Sequence, residues 1–146
     1  MRDLLFRGKS RENGDWYEGN LEINKYYRYS SEEKDYRIVD RNCGIDDDGF
    51  AYYQSGCDES CDPKTIGQFT GVYDKNGKKI FEGDIVMKRT YHGKKPCKVV
   101  FSYGCFHCGF GGGSSTATHP YLLDTSQYLE VVGNIYDNPE MLEVEK

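Results

Sequence analysis

The feature that most constrains this chain is a turn, Asp74-Lys75-Asn76-Gly77-Lys78, set between two extended runs. Asn and Gly both tolerate positive φ, which a type I′ hairpin requires at its two central positions. Before the turn stands Thr65-Ile66-Gly67-Gln68-Phe69-Thr70-Gly71-Val72-Tyr73, and after it Lys79-Ile80-Phe81 returns. This pattern predicts a type I′ β-hairpin. Glu82-Gly83-Asp84 predicts a second turn into a strand at Ile85-Val86-Met87. Lys98-Val99-Val100-Phe101 and Cys105-Phe106-His107-Cys108 flank Ser102-Tyr103-Gly104 as another hairpin, and residues 128–136 supply one or two further strands. Asn138 and Pro139 then open a short helical turn, with Glu140 near its positive end. Short strands with turns about every ten residues predict a small barrel.

Composition agrees with a mainly β chain. Of 146 residues 13 are Tyr, a residue suited to half-buried pleated surfaces, and 17 are Gly against only 4 Pro. That length holds one ordinary domain or two small ones. The sequence divides into an N-terminal β region over residues 1–63 and a C-terminal barrel over residues 64–146. The first region opens with a hairpin: residues 4–9 extend, Asn13-Gly14 turns, and residues 16–23 return, with Leu21 and Ile23 apolar. Residues 24–61 are rich in Tyr and charge and carry weak strand signals at 37–40 and 50–54. Residues 55–63 read as a polar loop. Trp16, the single Trp, is expected to anchor packing between the N-terminal hairpin and the barrel rather than to stack on a ligand.

The net charge of -5 weighs against general nucleic-acid binding, which leans on phosphate contacts, yet leaves room for a local basic patch. No apolar run approaches the ~18 residues of a membrane span. Charges interrupt the N-terminus from Arg2 onward, so no secretory hydrophobic segment is expected there. The expected compartment is the cytoplasm. In such a reducing setting the six cysteines are most simply free thiols or metal ligands.

The longest patterned stretch, residues 66–86, contains Gly67-Gln68-Phe69-Thr70-Gly71, the Asn76-Gly77 turn and Phe81-Glu82-Gly83-Asp84. Farther on stands Glu130-Val131-Val132-Gly133-Asn134-Ile135-Tyr136-Asp137-Asn138-Pro139-Glu140-Met141-Leu142. At the start come Phe6-Arg7-Gly8-Lys9, Asn13-Gly14-Asp15-Trp16 and Gly19-Asn20-Leu21. In this order the three motifs resemble the YopX family of phage and prophage proteins. The resemblance implies an SH3-like C-terminal barrel and a phage or prophage origin. It implies no particular activity and carries over no catalytic residues. Residues 24–61 and the Gly-rich stretch 109–113 match none of its motifs.

Several patterns invite chemistry. Cys57 with Cys61, and Cys105 with Cys108, have spacings compatible with zinc, with His92 and His107 as further ligands. Three positions along a strand, however, place Cys105 and Cys108 on opposite faces, so free or half-buried thiols are the favoured reading and no metal or cofactor is expected. A Cys-His nucleophile drawn from Cys105, Cys108 and His107 needs an electropositive setting that the sequence does not supply. Asp46-Asp47-Asp48-Gly49 lacks the alternating ligands and flanking helices of a calcium loop and reads as a solvated turn. The 109–113 stretch lacks the Lys-Ser/Thr and helix of a phosphate cradle and reads as a loop.

Lys88, Arg89, Lys94 and Lys95, around Tyr91 and His92, form a local basic cluster. They are the candidate nucleic-acid contacts of the alternative reading, an accessory protein on single strands. The leading expectation is a non-enzymatic module that binds protein or assembles with itself, because the patterned motifs are turns and strands without a convergent catalytic set. Exposed strand edges suit homo-oligomers.

Overall fold

A computed structural model describes residues 4–29, 31–45, 47–48, 51–90, 93–109 and 126–143. The mainly β expectation holds. The chain forms two compact units that meet in sequence between Gln68 and Phe69. Every helical element among the described residues is one 3-10 turn, at Pro63–Thr65, Ser126–Tyr128 and Pro139–Leu142. No helix among them is long and apolar enough to cross a membrane.

The N-terminal unit is antiparallel and contains β1 (Phe6–Lys9), β2 (Trp16–Arg28), β3 (Ser31–Ile45), β4 (Ala51–Cys61) and the start of β5 (Gly67–Tyr73). Its strands lie in the order β4-β3-β2-β1-β5. The predicted first hairpin is present, with Phe6 opposite Gly19 and Lys9 opposite Trp16. Gly8 and Gly19 are needed for close approach. A Cβ on Gly8 would sit 2.6 Å from Ile66 Cδ1, and one on Gly19 would sit 2.5 Å from the Val39 carbonyl oxygen. Ile38, Val39 and Cys61 fill the interior. The half-buried Trp16 carries the Arg7 guanidinium 4.8 Å from its ring centre, a cation–π contact within the unit.

The polar loop predicted at 55–63 is instead mostly strand. β4 runs through Cys61, pairing Ser60 with Arg37 and Asp58 with Val39. Cross-strand hydrogen bonds order this segment without apolar alternation, and for that reason its polar sequence hides it. β2 and β3 likewise extend through the region that resisted reading, out to the Arg28–Ser31 pair.

The C-terminal unit holds the rest of β5, then β6 (Lys79–Phe81), β7 (Asp84–Thr90), β8 (Gly93–Ser102), β9 (Cys105–Gly109) and β10 (Glu130–Asn134). Its main sheet has four strands in the order β10-β7-β8-β9. The small barrel expected here is open rather than closed. β10 and β9 lie at opposite edges of that sheet, and among the described residues no ladder joins them, so the sheet is open. Closure needs continuous pairing around the ring, and β6, three residues long, pairs only with β5. Val72, Ile80, Val86, Cys97, Val99, Phe106, Cys108 and Leu129 form the core.

The turn at 74–77 is a hairpin, but not of type I′. Gly77 has φ 79° while Asn76 stays out of the left-handed region. The Gly77 amide donates to the Asp74 carbonyl at 3.0 Å and the Asp74 amide to the Lys78 carbonyl at 2.8 Å. This is a three-residue connection closed by a left-handed glycine. The reason is Asp74. Its buried carboxylate accepts from the amides of Asn76 (2.8 Å) and Lys78 (2.9 Å), which holds the turn in that form, and from Val131 on β10 at 2.9 Å. Gly71 and Gly83, at φ 87° and 84°, serve the β5 irregularity and the β6–β7 turn as expected. Asn138 precedes the last 3-10 turn without a side-chain cap. Its Oδ1 accepts instead from the Asn134 amide at 3.4 Å.

Burial raises the Asp74 carboxyl, but its three amide donors together outweigh that effect and hold it below its ordinary value. A depressed carboxylate stabilises the fold fully above the unfolded value of 3.8 and loses that contribution as pH falls through the lower folded value. Asp74→Ala should cost about 2–4 kcal/mol in urea unfolding at neutral pH, because buried amides are left unpaired. The wild type should lose stability more steeply than this variant on acidification below about pH 4.

Candidate functional site

The basic cluster falls on the β7–β8 hairpin, whose register decides what it can do. Arg89 stands directly opposite Lys94, and Lys88 opposite Lys95. Strand alternation then puts Met87 and Arg89 on one face of β7 and Lys88 on the other. Met87 is the cross-strand partner of Glu130 on β10, so the Arg89–Lys94 face continues across two neighbouring strands. Two successive pairs of directly opposed cations are unfavourable by themselves. Among the described residues, Arg89, Lys94 and Lys95 form no ion pair.

A groove of about 520 Å³ lies along the β7 edge at this face, where Lys88 joins the lining from the opposite face. Lys88, Arg89 and Lys94 line one side, Met87 and the buried Leu129 contribute apolar surface, and Gln127, Tyr128, Glu130 and Lys75 complete it. The Glu130 carboxylate is engaged by Lys75 at 2.5 Å. Tyr128, the last residue of a 3-10 turn, is 67% exposed. Lys95 is exposed and outside the lining, while Tyr91 and His92 lie outside the described residues. The structure therefore gathers Lys88, Arg89 and Lys94 in one groove and separates Lys95 from them. It also adds Tyr128, Glu130 and Lys75, which sequence proximity could not supply.

The four cysteines read as zinc candidates occupy two strands. Cys57 and Cys61 lie on β4, Cys105 and Cys108 on β9. On β9 the odd separation turns Cys108 into the core while Cys105 stays half-exposed, its thiol donating to the Ser102 carbonyl at 3.6 Å. No group of three or more His, Cys, Asp or Glu side chains converges among the described residues. Burial pushes the Cys97 thiol up to about 11 and the Cys108 thiol up to about 12, with Lys88 a smaller opposing influence on both. Burial also raises the thiols of Cys57 and Cys61. His107 is buried and hydrogen-bonded through Nε2 to the Ser102 hydroxyl.

A second polar cluster in the N-terminal unit was invisible in the sequence. Arg37 on β3 donates to the Asp58 side chain (2.6 Å), the Asp58 carbonyl (2.8 Å) and Asp35 (3.0 Å). The Ser60 hydroxyl, with Arg37 behind it and against the effect of burial, holds the Asp35 carboxyl below its usual value. These charges are satisfied by one another, and the network cross-links β3 and β4. Of the aspartate-rich turn at 46–49, only Asp47 and Asp48 are described. Both are exposed, and strands rather than helices flank them. Of the Gly-rich stretch, residues 110–113 lie outside the described residues.

A family model described as YopX protein matches residues 5–143. No curated protein matches the chain. Among solved structures, the crystal structure of protein EF1440 from Enterococcus faecalis is similar at a TM-score of 0.60 and 22% identity, covering 97% of this chain and 99% of that chain. At that identity the likeness concerns the fold alone.

The thiol environments predict a labelling order. At about pH 8 a soluble thiol reagent should modify Cys105 in the native protein and leave Cys97 and Cys108 unmodified until denaturant is added, as read by peptide mass spectrometry. Prompt native labelling of Cys97 or Cys108 would contradict the packing described.

Proposed function

The chain belongs to the YopX family, and we propose that it is a non-enzymatic, self-associating protein-binding module of phage or prophage origin, acting in the bacterial cytoplasm. The observation that carries this reading is the β2–β3 arm of the N-terminal unit. Its strands stay paired from Asn20–Val39 to Arg28–Ser31, well beyond the buried Ile38 and Val39. Along it Ile23, Tyr26, Tyr27 and Tyr29 are 49%, 54%, 79% and 99% exposed.

Such an arm adds little to the interior of its own unit. Ile23 and Tyr27 share one face of the arm and Tyr26 takes the other; exposed aromatic side chains favour protein contacts, because Tyr offers large rigid area at low entropic cost. Tyr29 also takes φ 48°, an uncommon conformation for a non-glycine residue, while its ring stays fully in solvent. The charges on the arm have both signs: Lys25 pairs with Glu32 at 3.2 Å, and Lys34 lies 3.9 Å from the same carboxylate. A mixed surface of this kind is compatible with its own copy across a two-fold axis, where one patch must complement itself. The internally satisfied Arg37 network supports a binding rather than a catalytic reading.

Light scattering over about 10 μM to 1 mM should show mass rising from monomer towards dimer, with the Tyr27→Ser/Tyr29→Ser variant weakened about tenfold or more at unchanged thermal stability. A monomer mass throughout that range would end the self-association reading.

A further inference from the structure

We propose that the groove beside β7 and β8 binds single-stranded nucleic acid, with backbone phosphates on Arg89 and Lys94 and a base stacked on Tyr128. This goes beyond the self-association reading and uses none of the arm.

The first ground is charge. The chain as a whole is at -5, yet the groove presents Arg89 and Lys94, while its one lining carboxylate, Glu130, is engaged by Lys75. An anionic chain is thus attracted locally to a protein that repels it elsewhere, which confines binding to this face. The second ground is register. Arg89 and Lys94 are directly opposed on one face and form no ion pair among the described residues. That repulsion is relieved by a bound anion that touches both. Phosphates recurring along a nucleic-acid backbone supply one anion after another along the hairpin.

The third ground selects the class of ligand. Tyr128 lines the same groove with its side chain 67% exposed, next to the apolar Met87 and Leu129. A cationic track beside an exposed ring is the arrangement on which unpaired bases stack, and stacking tolerates any sequence because each base has a π-face. A duplex keeps its base faces covered, and an acidic peptide would meet the cations but leave the ring unused.

The test is fluorescence anisotropy of the full chain with a labelled oligo-dT of about ten nucleotides, within the range of site sizes for small β folds. Two phosphate contacts predict a log–log salt slope near -1.4, so affinity should fall roughly 7-fold between 50 and 200 mM salt. Arg89→Ala/Lys94→Ala should weaken binding at least about tenfold at 50 mM and flatten the slope to near zero. Tyr128→Leu should weaken it about tenfold and leave the slope unchanged, with Tyr128→Phe restoring affinity. Lys95→Ala, outside the groove, should behave as wild type. The altered side chains are solvent-accessible, and thermal melts establish that each variant is folded. The proposal is overturned by no salt-sensitive anisotropy rise at 50 mM, by equal loss in Lys95→Ala, or by equal or tighter binding of duplex DNA or a poly-glutamate peptide. Because the arm tyrosines remain intact in these variants, light scattering reads self-association separately.

Discussion

The C-terminal unit depends on one buried carboxylate. Asp74 sits at the end of β5, where its side chain accepts two amides of its own turn and one from Val131, 57 residues onward. The adjacent Lys75 amide donates to the Leu129 carbonyl at 3.0 Å, and its side chain meets Glu130. Together these bonds fix where β10 begins and bring it onto the edge of β7. A carboxylate can serve three donors at once because it has lone pairs to spare and no proton to place. Once Leu129 is held there, it closes the core over Val86 and Val99. The Gly83 backbone repeats the device, its amide donating to Val99 and its carbonyl accepting from Ile135.

The same anchoring makes the groove. Tyr128 and Glu130 are placed because the residue between them is buried and bonded to the 74–78 turn, and strand alternation turns Glu130 outward beside Met87. The cations arrive separately, carried by the β7–β8 register. Neither half of the site has meaning without the other, and they lie more than thirty residues apart in the chain. Lys88 links site and core. It lines the groove while its charge reaches the buried thiols of Cys97 and Cys108, whose protonated state is set by burial.

The two units reveal themselves unequally in sequence. The C-terminal unit is written in backbone requirements: Gly71, Gly77 and Gly83 each hold a positive φ, and such positions are local enough to recognise. In the N-terminal unit, Gly8 and Gly19 are readable as part of the family opening, but their purpose, room for Ile66 and Val39, appears only on packing. Beyond the weak signals at 37–40 and 50–54, the long strands β3 and β4 escape detection because pairing and the Arg37 network hold them, and those contacts span about twenty residues. A polar strand without alternation carries no periodic signal.

Read locally, the amino-acid sequence settles the class, the family and the main turns, because turn chemistry and strand patterning act over a few residues. It also placed the four cations in one short segment. Tertiary structure alone decided that the sheets stay open, that Asp74 overrides the type I′ preference of Asn76-Gly77, and that Lys88, Arg89 and Lys94 share a groove with Tyr128 while Lys95 does not. Each of these outcomes is set by register and by hydrogen bonds between distant residues, and a one-residue change in pairing would turn every side chain to the opposite face. The hairpin that most constrains this chain is therefore local in its glycine and tertiary in its carboxylate.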